Sequence, residues 1–455
     1  MRRLFIIGNN RKRFVLLRAT AAVLILLSGG AAAQAQPTLR CVPTSNPDPR
    51  CTGAPTYPTI QAAVTAAVAG DIILVAPGKY NESVTVDETG HSRDGLALLG
   101  AQAGNDARVD RHNPSEESVV DGTNQPVGST IVVEALNVVI DGFTVQGATA
   151  NVGTATGIDL KGLCKGLFSP ANGSVVVNNI IQGNANGISL NQEECGVPGN
   201  YSYPPTAGSA VLVGALVERN LIRNNNSTTL GYGNGINARG VNLARLTHNA
   251  LERNLNIAIS IFYSNYVTAT NNTSRSDGVF ALFFESSNSD FSDNHGEGFA
   301  AEGIPLTDAV GAVTVAVSNG IVITHNHLEK GNHPIQDGLE LGSYAVGLPP
   351  CQNLYVTSNH IERFPGNGIY LDDWGVLDSF ILGNKAERND LDGIFVYKPG
   401  NAGNSFFDNQ ASGNLKNDCE DDTIGPGTLG TADTWFNNTG NLSSPTGLCT
   451  PGKGH

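Results

Sequence analysis

The sequence predicts an all-β chain: a right-handed parallel β-helix, a solenoid of short stacked strands, with a short helix capping its N-terminal end. Three observations carry this. A weak unit, N-x-[apolar]-x-x-N…G-[apolar]-x-[apolar], recurs along the chain, as at Asn178…Gly187-Ile188-Ser189-Leu190, Asn359…Gly368-Ile369-Tyr370-Leu371 and Asn384…Gly393-Ile394-Phe395-Val396. Inside it apolar residues fall at every second position, the period of a half-buried strand rather than of an amphipathic helix. The composition, with 54 Gly, a single Met and Asn in frequent short groups, suits many tight turns between short strands.

Taken in order, residues 1–35 read as a secretion signal. Arg2, Arg3, Arg11, Lys12, Arg13 and Arg18 form a basic start, Ala19 to Leu27 a short apolar core, and Ala33-Gln34-Ala35 an A-x-A cleavage site. The apolar run is too short for a membrane span, and no later stretch is better. The mature chain is therefore expected to be secreted or periplasmic. The whole sequence carries −14, and loss of the six signal cations takes this to −20. The clustered basic face of a nucleic-acid binder is not visible. Such a field disfavours an acidic polysaccharide unless cations offset it.

Residues 36–54 are a Pro-rich segment. Tyr57-Pro58-Thr59-Ile60-Gln61-Ala62-Ala63-Val64 then reads as the start of a short amphipathic helix with Thr59 as N-cap. Asp71-Ile72-Ile73-Leu74-Val75-Ala76-Pro77-Gly78 reads as the first strand and its turn. The repeat domain is expected over 55–425, as about ten or more coils, with a C-terminal cap and tail over 426–455. Aligning ten units on a turn position at Gly157, Gly187, Gly235, Ala258, Gly278, Gly303, Gly338, Gly368, Gly393 and Asp418 makes the next residue, and the one two beyond it, apolar in all but the last unit. Strands this short bury a face only by stacking on their neighbours. The repeated Asn should fall at one corner of every coil and form a ladder of stacked amides. Asp421 and Asp422 mark where the stack ends.

The run YPTIQAAVTAAVAGDIILVAPGKYNESVTV (57–86) resembles the opening segment of the pectin-lyase-like β-helix superfamily, and the later units resemble NosD-type PbH1 repeats. Together they cover roughly 55 to 425. The resemblance implies the fold and says little about activity.

Seven cysteines in an exported chain suggest disulfides and one leftover thiol. Cys164 and Cys195 follow equivalent turns on successive coils and should pair. Cys419 and Cys449 bracket the tail, and Cys41 and Cys51 the Pro-rich segment. Cys351 remains, in an apparent insertion loop. Without a C-x-x-C spacing, a zinc site through these thiols is disfavoured.

The outward columns carry the functional reading. They place Phe262, Phe280, Tyr370, Phe395 and Tyr397 outside, near Glu340, Asp372, Asp373 and Trp374. Exposed aromatics with interleaved carboxylates suit a sugar-binding groove; loops folded over the rings would instead make them a covered core. The acids Asp337, Glu340, Asp372 and Asp373 form the densest polar cluster. Paired carboxylates can hydrolyse a glycosidic bond, one as acid and one as base or nucleophile. Asp372-Asp373 resembles the Asp-Asp pair of polygalacturonases, but their Asn-Thr-Asp, Gly-His-Gly and Arg-Ile-Lys motifs are absent. A solvated acidic turn or a Ca2+ site accounts for two adjacent acids better. Pectinesterase motifs and the Asp-Pro-His-Asp of alginate epimerases are also missing. Candidates for lyase chemistry, Arg239, His248 and Tyr263, are scattered. His325, His327 and His333 cluster in sequence; the NosD resemblance raises copper for them, but a solvated turn explains His325 and His327 better.

The expectation is thus a monomeric, exported carbohydrate-active β-helix. Catalytic candidates are Glu340, Asp372 and Asp373; substrate-binding candidates are Phe262, Phe280, Tyr370, Trp374 and Tyr397. Its partner is a polysaccharide, bound and, if the protein is an enzyme, cleaved by a hydrolase or lyase reaction, with no cofactor required unless Ca2+. The rival is a non-catalytic surface or binding module.

Overall fold

The computed structural model describes residues 37–43, 49–109, 111, 113–125, 128–149, 155–162, 170–191, 212–226, 233–299, 311–332, 336–342, 348–373 and 375–452. The expected signal, the Cys164–Cys195 pair, Trp374, His333 and the unit placed at Gly303 lie outside them.

The chain winds through three long parallel sheets of 14, 12 and 13 strands, visited in that order once per coil. One coil runs Tyr355–Thr357, His360–Glu362, Ile369–Leu371. This is a right-handed parallel β-helix. Strand-to-strand register stacks like on like: Ile188, Ile236 and Ile259 align, as do Leu190, Ala238 and Ile261, and all six are wholly buried. One continuous apolar core results, reaching from Val42 to Cys449. The hydrophobic stabilisation of each coil therefore depends on its neighbours.

The corner between the 14- and 12-stranded sheets explains the repeated Asn. Asn179, Asn220, Asn249, Asn272, Asn294, Asn326, Asn359, Asn384, Asn409 and Asn438 lie in one buried column. At each step the side-chain oxygen accepts from both the backbone N–H and the amide of the preceding rung, 3.0 Å in each case at Asn326. The amide also donates to a carbonyl of the preceding coil, as Asn326 does to Phe291 at 2.8 Å. The ladder starts at Asn179; Asn178, taken from sequence, is the residue before it. That preceding residue is left-handed at nearly every coil, including Arg219 (φ 53), His325 (φ 55) and Ser358 (φ 55). Where the chain enters the 13-stranded sheet the backbones close in: a Cβ on Gly187 would sit 2.4 Å from the Gly235 carbonyl.

The middle coils correct the sequence alignment. Ile259 pairs with Ala281, and Ala281 with Val313. The turn column therefore passes through Phe280 and Ala312, not Gly278 and Gly303, and the strand expected near Gly303 is Val313–Ala316. Phe280, expected outside as a sugar platform, turns inward and is wholly buried. Its ring meets Phe291 at 5.1 Å and Phe299 at 6.1 Å. Room for it comes from Gly296, where a Cβ would lie 2.7 Å from the Phe280 ring.

Both ends are closed. Helix Ile60–Ala66 starts at Thr59, whose hydroxyl accepts from the Ala62 N–H at 3.0 Å. The Glu82 carboxylate takes the N–H groups of Ile60 and Gln61, each at 2.9 Å. This satisfies orphan donors and complements the helix dipole. The stack is longer than the span expected from sequence. Strand Leu39–Val42 pairs with Ile72–Val75 ahead of the helix. Beyond residue 425, Thr434–Phe436 adds to the 14-stranded sheet and Ser443–Ser444 to the 13-stranded one. The inward acid Asp421 is explained by Trp435, which stacks on Phe406 with centroids 4.0 Å apart and donates its indole N–H to Asp421 at 2.8 Å.

Disulfides Cys41–Cys51 and Cys419–Cys449 are formed. Cys351 is no loop thiol. It begins a short strand pairing with Val376–Leu377 and is wholly buried. Among the described residues no helix is long and apolar enough to cross a membrane.

Candidate functional site

The outward face of the 13-stranded sheet gathers the acids and rings of the later coils. Register aligns Glu340, Tyr370, Phe395 and Glu420 in one outward column. Two residues further along each strand come Gly342, Asp372, Tyr397 and Asp422, held in step by bonds such as Asp372 N–H to the Leu341 carbonyl at 2.8 Å. A side chain at Gly342 would run into Asp372, its Cβ 2.8 Å from that of the acid.

Tyr370 stacks on Phe395 with centroids 5.5 Å apart, and Tyr397, 37% exposed, meets Phe395 edge-on at 5.8 Å. The Tyr370 hydroxyl donates to Asp372 Oδ1 at 3.0 Å, and the Asp373 N–H to the same oxygen at 2.6 Å. Glu340 is half-buried, with Oε2 accepting from the Gly311 N–H at 2.7 Å. Burial, reinforced by the charges of Asp337 and Asp372, pushes the Glu340 carboxyl well above the usual range. Burial likewise raises Asp372 to about 6, with the Asp373 charge adding and the Tyr370 hydrogen bond opposing. The result is two carboxyls one coil apart that hold protons unusually tightly, beside a stacked aromatic pair.

Other acids of the cluster have structural work. Asp337 accepts from the Asn367 N–H, Asn367 from Asp392, and Asp392 from Asn417, a second ladder along the axis. Lys416 joins Asp392 at 3.2 Å and Glu420 at 2.6 Å, and its ammonium lies 4.9 Å over the Phe395 ring.

No protein-family model matches the sequence, and no curated protein matches it. Among solved structures it is similar to the A-module of Azotobacter vinelandii mannuronan C-5 epimerase AlgE6, at 14% identity and TM-score 0.44, over 84% of this chain and 94% of that one. It is similar to DFA-IIIase from Arthrobacter chlorophenolicus A6 without its lid, at 14% identity and TM-score 0.46, over 75% and 85%. An alginate lyase from Paenibacillus sp. str. FPU-7 matches at 14% identity and TM-score 0.40, over 76% and 94%. Likeness this low assigns no activity to the chain.

The site expected from sequence divides in two. Glu340, Tyr370, Asp372, Asp373 and Tyr397 come together. Phe262 lies in the same column as Asp372 but four coils earlier, about 19 Å away at the ordinary strand spacing. There it packs with Tyr263 and Phe284 at 6.4 and 5.8 Å, under an Arg239 guanidinium 5.4 Å from the Tyr263 ring. Phe284 was missed because the alignment ran two residues out of register at this coil. The contribution of Lys416 was missed because its turn has no distinguishing motif. Asp372 and Asp373 do not belong to a converging metal-ligand set; among the described residues such sets are His327, His360, Glu362 and His295, Glu297, Glu329.

Proposed function

We propose that the protein is an exported, monomeric carbohydrate-active β-helix that lays a polysaccharide across the outward face of its later coils, around Tyr370, Phe395 and Tyr397. The observation that carries this reading is the stacked Tyr370–Phe395 pair bordered by Glu340 and Asp372, two carboxyls whose affinity for protons is raised by burial. Aromatic faces hold sugar rings, and carboxylates order their hydroxyls. The two formed disulfides support an oxidising compartment. The negative net charge, −14 over the whole sequence, favours a neutral glycan.

In the catalytic form of the proposal, Glu340 is the acid and Asp372 the base. The Glu340 carboxyl gives its proton to the glycosidic oxygen as the C–O bond breaks. Water attacks the anomeric carbon and yields its proton to the Asp372 carboxylate. Hydrolysis suits the residues better than elimination, because the nearby cation, Lys416, is already held by Asp392 and Glu420. A non-catalytic binding module is the second reading. It is favoured by the ladder roles of Asp337 and Asp392, which give much of the acid cluster a structural purpose.

A glycan array followed by mass spectrometry of products tests both. The first reading expects a bound neutral polysaccharide that is cut, with cutting lost in Asp372→Asn and Glu340→Gln. Binding without products supports the module. If Tyr370→Ala binds every glycan as the wild type does, the site is wrong.

A further inference from the structure

A different wall of the same coils carries a second constellation. On the outward face of the 12-stranded sheet, register puts His295, His327 and His360 in one column, and Glu297, Glu329, Glu362 and Glu387 in the parallel one two residues on. The rings of His327 and His360 lie face to face, centroids 4.7 Å apart and 5° from parallel. Both side chains are half-buried, yet the Nε2 atom of each is shielded from solvent and has no hydrogen-bond partner. Each instead faces a carboxylate just beyond hydrogen-bond reach: His327 Nε2 lies 3.6 Å from Glu362 Oε1, and His360 Nε2 lies 3.6 Å from Glu387 Oε2.

We propose that this column binds a divalent d-block cation of the Zn2+ class through His327 Nε2, His360 Nε2 and Glu362, with Glu387 as the fourth donor. The geometry is close to what such an ion requires. The ligand atoms of His327, His360 and Glu362 all lie within 4.8 Å of one another. A tetrahedral ion with bonds of about 2.0–2.1 Å holds its ligands about 3.3 Å apart. The two imidazole–carboxylate separations are already near that value. The stacked rings need only a small splay, which outward, half-exposed side chains can supply by rotation.

Donor chemistry selects the ion. Two imidazole nitrogens with carboxylates suit Zn2+, Co2+, Ni2+ or Cu2+, whereas Ca2+ and Mg2+ take shells of oxygen. The site also accommodates its existing charges. Arg363 pairs with Glu362 at 3.2 Å but keeps Glu329 at 2.5 Å if Glu362 turns to the ion. Arg388 holds the other oxygen of Glu362, and Lys385 lies 2.6 Å from Glu387. These cations must yield part of their contacts, which places the affinity below that of a closed structural zinc site. The ion would clip three successive coils together, with His327 from the first, His360 and Glu362 from the second and Glu387 from the third.

The test uses the full-length exported protein, stripped with chelator and titrated with ZnCl2 by calorimetry and with CoCl2 by visible absorption. One ion per chain, a ligand-field band from Co2+ with nitrogen ligands and a raised Tm are expected. CaCl2 should neither bind nor compete. His327→Gln and His360→Gln, checked for folding by circular dichroism, should weaken binding by at least about tenfold. His248→Gln, at a turn in an earlier coil, should bind as the wild type does. Absence of saturable Zn2+ and Co2+ binding overturns the proposal. So does undiminished binding in the two variants, or equal competition by Ca2+. The glycan site lies on another sheet, so the failure of either proposal leaves the other standing.

Discussion

A single amide at each corner decides whether adjacent coils can be buried without orphaned polar groups. At Asn326 the side chain accepts two bonds from Asn294 and donates to Phe291 and Asn359. Asn326→Leu keeps the branching of the side chain but strands those partners, and should cost roughly 2–4 kcal/mol, read as a lower urea midpoint. Two aromatics separate core from surface in the same way. Phe280→Ala should destabilise by about 3–5 kcal/mol, since the ring is wholly buried against Phe291 and Phe299. Tyr370→Ala should cost little stability while weakening glycan binding, which paired denaturation and binding curves will separate. Burial pushes the Cys351 thiol up to about 12, so iodoacetamide should leave it unmodified in the native protein and label it once unfolded. Labelling at the rate of an exposed thiol would contradict its placement.

Elements depend on their caps. The last strands hold a core residue, Trp435, at the end of the stack, and the Cys419–Cys449 bond ties the tail back over them. Its loop separation of 30 residues corresponds to about 3–4 kcal/mol in the chain-entropy model. Replacing both cysteines by alanine should therefore expose the end of the stack first. Faster amide exchange confined to residues 419–450, with the middle coils unchanged, is the expected pattern. Uniform loss of protection along the solenoid would show instead that the cap supports every coil. At the other end, Glu82→Ala should loosen helix Ile60–Ala66, whose first N–H groups it holds.

Across the whole molecule, buried acids set the pH response. Burial foremost raises Asp277, Asp337 and Asp433 to about 7, against about 3.9 in an unfolded chain. Between those values the folded chain keeps protons that the unfolded chain releases, so stability falls as pH rises from about 4 to 7. Below about 4 the trend reverses. Hydrogen bonds from Val68, Thr38 and Arg40 outweigh burial to hold Asp71 low, and protonating it removes that contribution. The charge of −14 acts in the same direction as the buried acids. Denaturation midpoints should be higher at pH 5 than at pH 8. A flat or opposite trend would mean that these carboxyls are better solvated than their positions indicate.

Period and punctuation were legible in the amino acids alone. Alternation in Ile369-Tyr370-Leu371, the Asn at each corner, the Thr59 cap and the cysteine brackets are local features, and local backbone geometry fixes their meaning without reference to distant residues. That is why the fold class, the amide ladder and the outward position of Tyr370, Asp372 and Tyr397 could be read directly. Tertiary packing decided what lies beside what. Phe280 went inward because Gly296, on another wall of the helix, leaves room for its ring. Asp421 stayed in the core because Trp435 donates to it. His327 and His360 meet only because the chain between them returns to the same register one coil later. Each of these outcomes depends on a neighbour one or more coils away, and a shift of two residues preserves the in–out alternation while changing every partner.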